Sequence, residues 1–199
     1  MLIRLANLAL FMKKTLSLVA FVLLLCSVSN AQKPITGFLG IPFGSDSSDV
    51  KDAVKAMGGY KNDSLSQKDM LGFSGIAIGS RHVLFCFVKF VDNKAFEADF
   101  VFSDFEQIDA LSYFDELAGD ISVVYGNGLI SNNFGNYSNN KRIKRLLSGD
   151  AYGFTVWRSR NKNSIYLYFQ IVNQSVQIVL QYLDRDLWNL NAQKRRSNL

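Results

Sequence analysis

The 199-residue chain has one histidine, His82, and two cysteines, Cys26 and Cys86, so nucleophilic and metal chemistry have little to draw on. A Ser-His-Asp relay needs a histidine between nucleophile and orienting acid. The nearest serine motif, Gly72-Phe73-Ser74-Gly75, lacks the G-x-S-x-G spacing of a nucleophile elbow. His82 and Cys86 share a face of one predicted strand but stand about 13 Å apart, too far to hydrogen-bond. Cys86 therefore reads as a core thiol and His82 as a solvated turn residue. One histidine and one cysteine cannot compose an N/S zinc site. Asp46-Ser47-Ser48-Asp49 is a helix cap rather than a calcium loop. Gly126-Asn127-Gly128 follows a predicted helix instead of opening one, so it stops that helix rather than cradling phosphate. The residues predict no catalytic group, no cofactor and no metal. Glu97 and Asp99 are the one pair to weigh. They project from one strand face about 6.6 Å apart, a spacing at which a hydrolase can use two carboxylates. Alternation with Phe96, Ala98 and Phe100 also makes them the polar side of a half-buried strand.

What remains is surface. If Ile165, Leu167, Phe169 and Ile171 face a core, the other side of that strand presents Tyr166, Tyr168 and Gln170, with Trp157, Gln177 and Gln181 on its neighbours. The same parity exposes Phe85, Phe87 and Lys89 beside Glu97 and Asp99 in the first half. Rings and amides on an open sheet give rigid contact area with polar handles, which is what recognition surfaces use. A loop, helix or second subunit over the same face would make it ordinary core.

The elements that must position these residues come in two passes. Asp46 and Asp49 open a helix whose Val50, Ala53, Val54 and Met57 form one apolar stripe, and Gly58-Gly59 end it. Strands follow over 70–78, 83–91 and 95–102, with Asp92-Asn93 as a tight hairpin turn. A second helix over 108–125 ends at Gly126, and strands follow over 152–158, 165–172 and 176–182, each about 81 residues after its counterpart. Asn173-Gln174 falls where Asp92-Asn93 does. A longer Asn-, Ser- and Gly-rich loop over 129–150 absorbs the difference between the passes. The fold class expected is α+β: two tandem units, 32–103 and 104–183, each a helix or helical pair on a three- to four-stranded antiparallel sheet. A C-terminal helix or basic tail follows over 184–199.

The first 31 residues read as an export signal beginning at Met12. Lys13 and Lys14 form a basic n-region, and an apolar run of about 11 residues follows, short of the about 20 a spanning helix needs. Ser29 and Ala31 supply the small residues of a cleavage site, leaving Gln32 as the mature N-terminus and no transmembrane anchor. Three of the 22 basic residues, Arg4, Lys13 and Lys14, and none of the 17 acidic ones lie in this leader, leaving 19 against 17. So slight an excess predicts no nucleic-acid partner. The basic runs 141–145 and 194–196 read as solvated loop and tail. Cys86 is then the only mature thiol, and stability must come from a core for which 16 Phe and 8 Tyr supply material.

Phe38-Leu39-Gly40-Ile41-Pro42-Phe43-Gly44, followed by the capped helix and Gly58-Gly59, resembles the opening of a β-lactamase-inhibitor-protein-like domain. The unit is also similar to that of small outer-membrane-assembly lipoproteins. The resemblance covers residues 37–182 and implies a tandem α+β fold whose partner is a protein, either an enzyme that it restrains or an envelope component. The inhibitors' disulfides and the lipoproteins' lipidated cysteine have no counterpart here. The expected function is an exported, non-catalytic binding protein acting through the aromatic sheet face. The alternatives are a small-molecule or carbohydrate ligand on that face, and a hydrolase using Glu97 and Asp99.

Overall fold

Helix α1 (Ser47–Ala56) starts where Asp46 takes backbone N–H bonds from Ser48 (2.8 Å) and Asp49 (2.9 Å), satisfying donors that a first turn leaves orphaned. Those bonds, the one from Asp49 foremost, hold the Asp46 carboxyl below its ordinary range. Val50 and Val54 are the buried part of its stripe, and Gly58 leaves the helix in the left-handed region (φ +85°). The structure is a computed structural model that describes residues 33–103, 106 and 109–197. The leader expected over 1–31, the unit boundary at 104 and the end of the basic tail lie outside the described residues.

Described residues form four α-helices and a large antiparallel sheet. Strands β1 (Gly37–Phe38) and β2 (Ile41–Pro42) make a small hairpin before α1. After it come β3 (Tyr60–Lys61), a 3-10 turn (Asp63–Leu65), β4 (Met70–Ser74), a small β5 (Ala77–Ile78) and β6 (Arg81–His82) hairpin, β7 (Phe85–Val91) and β8 (Lys94–Phe102). The rest of the chain gives α2 (Ala110–Tyr125), β9 (Leu129–Asn132), α3 (Asn139–Leu147), β10 (Gly153–Arg158), β11 (Ser164–Val172), β12 (Ser175–Leu183) and α4 (Arg185–Ser197). Eight of these strands make one sheet in the order β3-β4-β7-β8-β12-β11-β10-β9, antiparallel at every step. The last strands of the two halves, β8 and β12, meet at its middle.

Two tight hairpins set the register. Asp92 and Asn93 both sit at positive φ (51° and 58°), as do Asn173 and Gln174 (48° and 62°). Paired positive φ values define the turn whose twist matches the strands it joins. The expected hairpin positions are therefore where the chain turns.

Helices α1, α2 and α3 lie on one side of the sheet. Val54 of α1 and Phe114, Leu117 and Ile121 of α2 pack with Val88, Phe100, Phe102, Leu167, Ile178 and Leu180 in the main core. Ile143 and Leu146 of α3 join Leu111 and Val176 in a satellite core. Helix α4 docks on the other side, at one end, where Leu187 and Leu190 meet Val91, Phe96 and Leu183.

Three sequence expectations need correction. The stretch 129–150 is not a plain loop, because it holds β9 and α3, and the basic run 141–145 lies on α3 with Ile143 buried. The strand expected over 70–78 stops at Ser74, because Gly75 takes positive φ (75°) and turns the chain into a separate small hairpin. Phe96 does not share the face of Ala98. The register slips between Lys89 and Phe90, a bulge that sends Phe96 toward α4 while Ala95 joins the main core.

Candidate functional site

The face opposite α1, α2 and α3 is built by strand parity, and the pairing register orders it in rows. One row runs Phe85, Val101, Val179, Tyr168, Phe154 across β7, β8, β12, β11 and β10. The next runs Phe87, Asp99, Gln181, Tyr166, Val156, and the third runs Lys89, Glu97, Leu183, Ser164, Arg158. Side chains directly opposite across a pair stand about 5 Å apart, so each row is a continuous band. Walls stand at two sides. Helix α4 covers the third-row end, packing on Leu183 and reaching Tyr166 of the second row, and is tied by its Lys194 to Asp92 of the β7–β8 turn. Leu65 of the 3-10 turn lies against Gly72 of β4, a contact that leaves no room for a Cβ there. In the first two rows Val101, Val179, Asp99 and Val156 are buried, and the rings Phe85, Phe87, Tyr166 and Tyr168 are half-buried.

At the centre sits a polar network. Lys89 Nζ donates to Glu97 Oε1 and to Asp99 Oδ2 (3.1 Å). Gln181 Nε2 donates to Glu97 Oε1 (3.1 Å) and Asp99 Oδ1 (2.9 Å). Both carboxylates are buried, at 6% and 9% exposure, while Lys89 is half-buried. Burial, then the Asp99 charge, lifts the Glu97 carboxyl above its ordinary range against the pull of Lys89. Burial draws the Lys89 ammonium down, but the two carboxylates more than offset this and hold it above its ordinary value. Burial and then Asp99 push the Tyr168 hydroxyl up to about 12, so it remains a donor at neutral pH. Two carboxylates against one ammonium leave this centre with an excess of negative charge wherever Glu97 is ionised.

Of the predicted residues, Phe85, Phe87, Lys89, Tyr166, Tyr168 and Gln181 come together on this face, each half-buried. Gln177, opposite Gln170, lies one row beyond Val179, toward the edge of the face. Trp157 is a correction. It pairs with Ile165, not with Tyr166, and so shares the core side, where it is 2% exposed and its indole N–H donates to Ser122 of α2 (3.3 Å). Gly128 makes room for it, since a Cβ there would lie 2.7 Å from the indole. In its place the structure puts Phe154, opposite Tyr168, with Tyr152 stacked on it at 6.1 Å between ring centres. Those rings were legible as apolar residues of a predicted strand, but the register that assigns them to the face was not.

His82 is exposed and Cys86 is buried in the main core, where burial pushes its thiol up, away from the thiolate a nucleophile needs. Among the described residues no group of three or more His, Cys, Asp or Glu side chains is placed to hold a metal ion, and no helix is long and apolar enough to cross a membrane. In comparisons with known proteins, no family model, curated protein or solved structure matches the chain.

Proposed function

We propose that this is an exported, non-catalytic binding protein that holds a protein partner on the open sheet face, with a basic side chain of that partner seated at Glu97 and Asp99. The carrying observation is the buried carboxylate pair at the centre of a half-buried aromatic face. An arriving Lys or Arg would neutralise charge that Lys89 alone leaves in excess. Phe87, Tyr166 and Tyr168 around it supply ring faces and apolar contact, the surroundings in which interface anchors bind most strongly. Scale favours a protein. The five strands that carry the rows span about 19 Å at the usual spacing, room for several side chains of a partner's interface core. A small molecule or carbohydrate would want a more enclosed site than this open surface. The hydrolase reading is weaker because Lys89 and Gln181 bond both carboxylates, which leaves neither free to act as acid or nucleophile, whereas a partner's cation needs only the negative charge that remains.

The tandem-unit reading belongs to the same proposal. Each half runs helix, edge strand and three-strand meander, and the halves meet last strand to last strand, as two copies of one unit would. The leader read in residues 12–31 and the inhibitor-like opening of the domain support export and a protein partner.

Parallel affinity captures from the native envelope test the reading, with wild-type protein and a Phe87→Ala/Tyr168→Ala double variant as baits. A protein held by wild type and lost from an equally folded double variant is the expected result. Equal capture by both baits rejects the face.

A further inference from the structure

A second site lies where the β10–β11 turn meets the start of α4. A pocket of about 400 Å³ is lined there by Arg158, Ser159, Lys162, Ser164, Tyr166 and Arg185. Half of these residues are cations, and among the described residues none of the lining is acidic. The pairing register draws the cations round one point. Arg158 stands directly opposite Ser164, about 5 Å across the β10–β11 pair. Leu183 stands opposite Ser164 on the other side, and Arg185 follows it at the start of α4, its N–H bonded to Asn163 Oδ1 (3.1 Å). Lys162 belongs to the turn, which closes where Ser159 N–H meets the Asn163 carbonyl and Lys162 N–H meets that of Ser159 (3.0 Å each). Each cation is thus anchored beside Ser164, and side chains as long as Arg and Lys converge on the pocket from there.

The charge they bring is uncompensated. Among the described residues neither Arg158, Lys162 nor Arg185 makes an ion pair. Arg185 lies over the Trp188 ring at 4.8 Å, which positions its guanidinium without cancelling its charge. The carboxylates nearby are committed elsewhere or turned away. Asp184 accepts from Asn163 and caps α4 through the Asp186 and Leu187 N–H groups. Asp186 is exposed and does not line the pocket. Glu97 lies two strands along the third row, about 10 Å from Ser164, and is bonded to Lys89. Cations gathered at one pocket against their own repulsion are set to receive a polyvalent anion. We propose that this pocket binds a phosphoryl group, with the guanidinium forks of Arg158 and Arg185 on its oxygens. The Lys162 ammonium supplies a third charge and the Tyr166 hydroxyl a further donor. Guanidinium forks match phosphate oxygens bidentately, and a charge of about −2 answers this cluster better than the single charge of a carboxylate. A soluble phosphate compound and the headgroup of an anionic lipid present the same chemistry here.

Calorimetric titration of the purified protein with inorganic pyrophosphate tests this, in about 150 mM salt to screen diffuse attraction and with acetate as the single-charge control. Pyrophosphate should saturate one site with Kd below about 1 mM, and acetate should bind at least about tenfold more weakly. The double variant Arg158→Gln/Lys162→Gln should weaken pyrophosphate binding about tenfold or more with an unchanged melting temperature, since both side chains are exposed. Lys51→Gln/Lys144→Gln removes the same charge from exposed positions on α1 and α3 and should leave the affinity unchanged. Flotation with phosphatidylcholine vesicles, with and without phosphatidic acid, separates the two sources. Pyrophosphate-sensitive binding to the phosphatidic acid vesicles assigns the site to a lipid headgroup, and pyrophosphate binding without vesicle binding assigns it to a soluble phosphate compound. Absence of saturable pyrophosphate binding, equal binding of acetate, or equal effects of the two double variants would each overturn the proposal.

Discussion

At the scale of single residues, strand parity decides what each side chain does, and Trp157 shows how sharply. It faces the core, so Trp157→Ala should cost about 3–5 kcal/mol in a chemical denaturation, the usual loss for a buried indole. A loss near zero would put the ring back on the surface. Cys86 is a small core residue with its thiol protonated, so Cys86→Ser should destabilise by about 1–3 kcal/mol by burying a poorly satisfied hydroxyl. Glu97 carries a pH signature. Its folded carboxyl lies above the ordinary range, so the fold favours the protonated form. That contribution is full below the unfolded value, about 4.3, and is lost as pH rises through the raised folded value. Glu97→Gln keeps an acceptor for Lys89 and Gln181 but cannot ionise. Melts from about pH 4 to about pH 7 should show the variant gaining on wild type as pH rises. If wild type gains instead, Lys89 stabilises the carboxylate more than burial penalises it.

At the scale of elements, the sequence spoke clearly where one local signal sufficed. The Asp46 cap, the Val50–Val54 stripe and Gly58 define α1, and the pairs at 92–93 and 173–174 place both hairpins. Signals that depend on distant partners were silent. Nothing near Phe96 announces a bulge, because the slip exists only against β7 and is held where the Phe96 carbonyl accepts from Asp184 N–H at the foot of α4 (2.8 Å). Helix α3 hid within a polar stretch because its apolar stripe is short, and tertiary burial of Ile143 and Leu146 holds it. Register was the costliest omission, since a one-residue difference in pairing moved Trp157 across the sheet. Asn163 shows how far the element junctions depend on distant contacts. Its amide donates to the Ile35 carbonyl (3.0 Å) and to Asp184 (3.2 Å), and its oxygen accepts from the Arg185 N–H (3.1 Å). Asn163→Ala, which strands these groups near the start of α4, should lower stability by about 1–3 kcal/mol in the same denaturation assay.

At the scale of the whole molecule, α1, α2 and α3 take one side of a wide antiparallel sheet, and α4 and the Leu65 turn wall the other. Half the candidate face comes from each half of the chain, Phe85, Phe87 and Asp99 from one and Tyr166, Tyr168 and Gln181 from the other, meeting where β8 pairs with β12. That arrangement explains why neither half alone would present the carboxylate pair with rings on both sides. In the proposed function it is this face that holds the protein partner. The most direct measurement is the equilibrium affinity of the captured partner for three proteins, wild type, Tyr168→Ala and Val123→Ala. Val123 is 87% exposed on α2 and serves as the control. Tyr168→Ala should weaken binding by about 2 kcal/mol, roughly thirty-fold, as for an interface anchor, while Val123→Ala leaves it unchanged. Unchanged affinity in a folded Tyr168→Ala protein, or loss in Val123→Ala, would contradict the account.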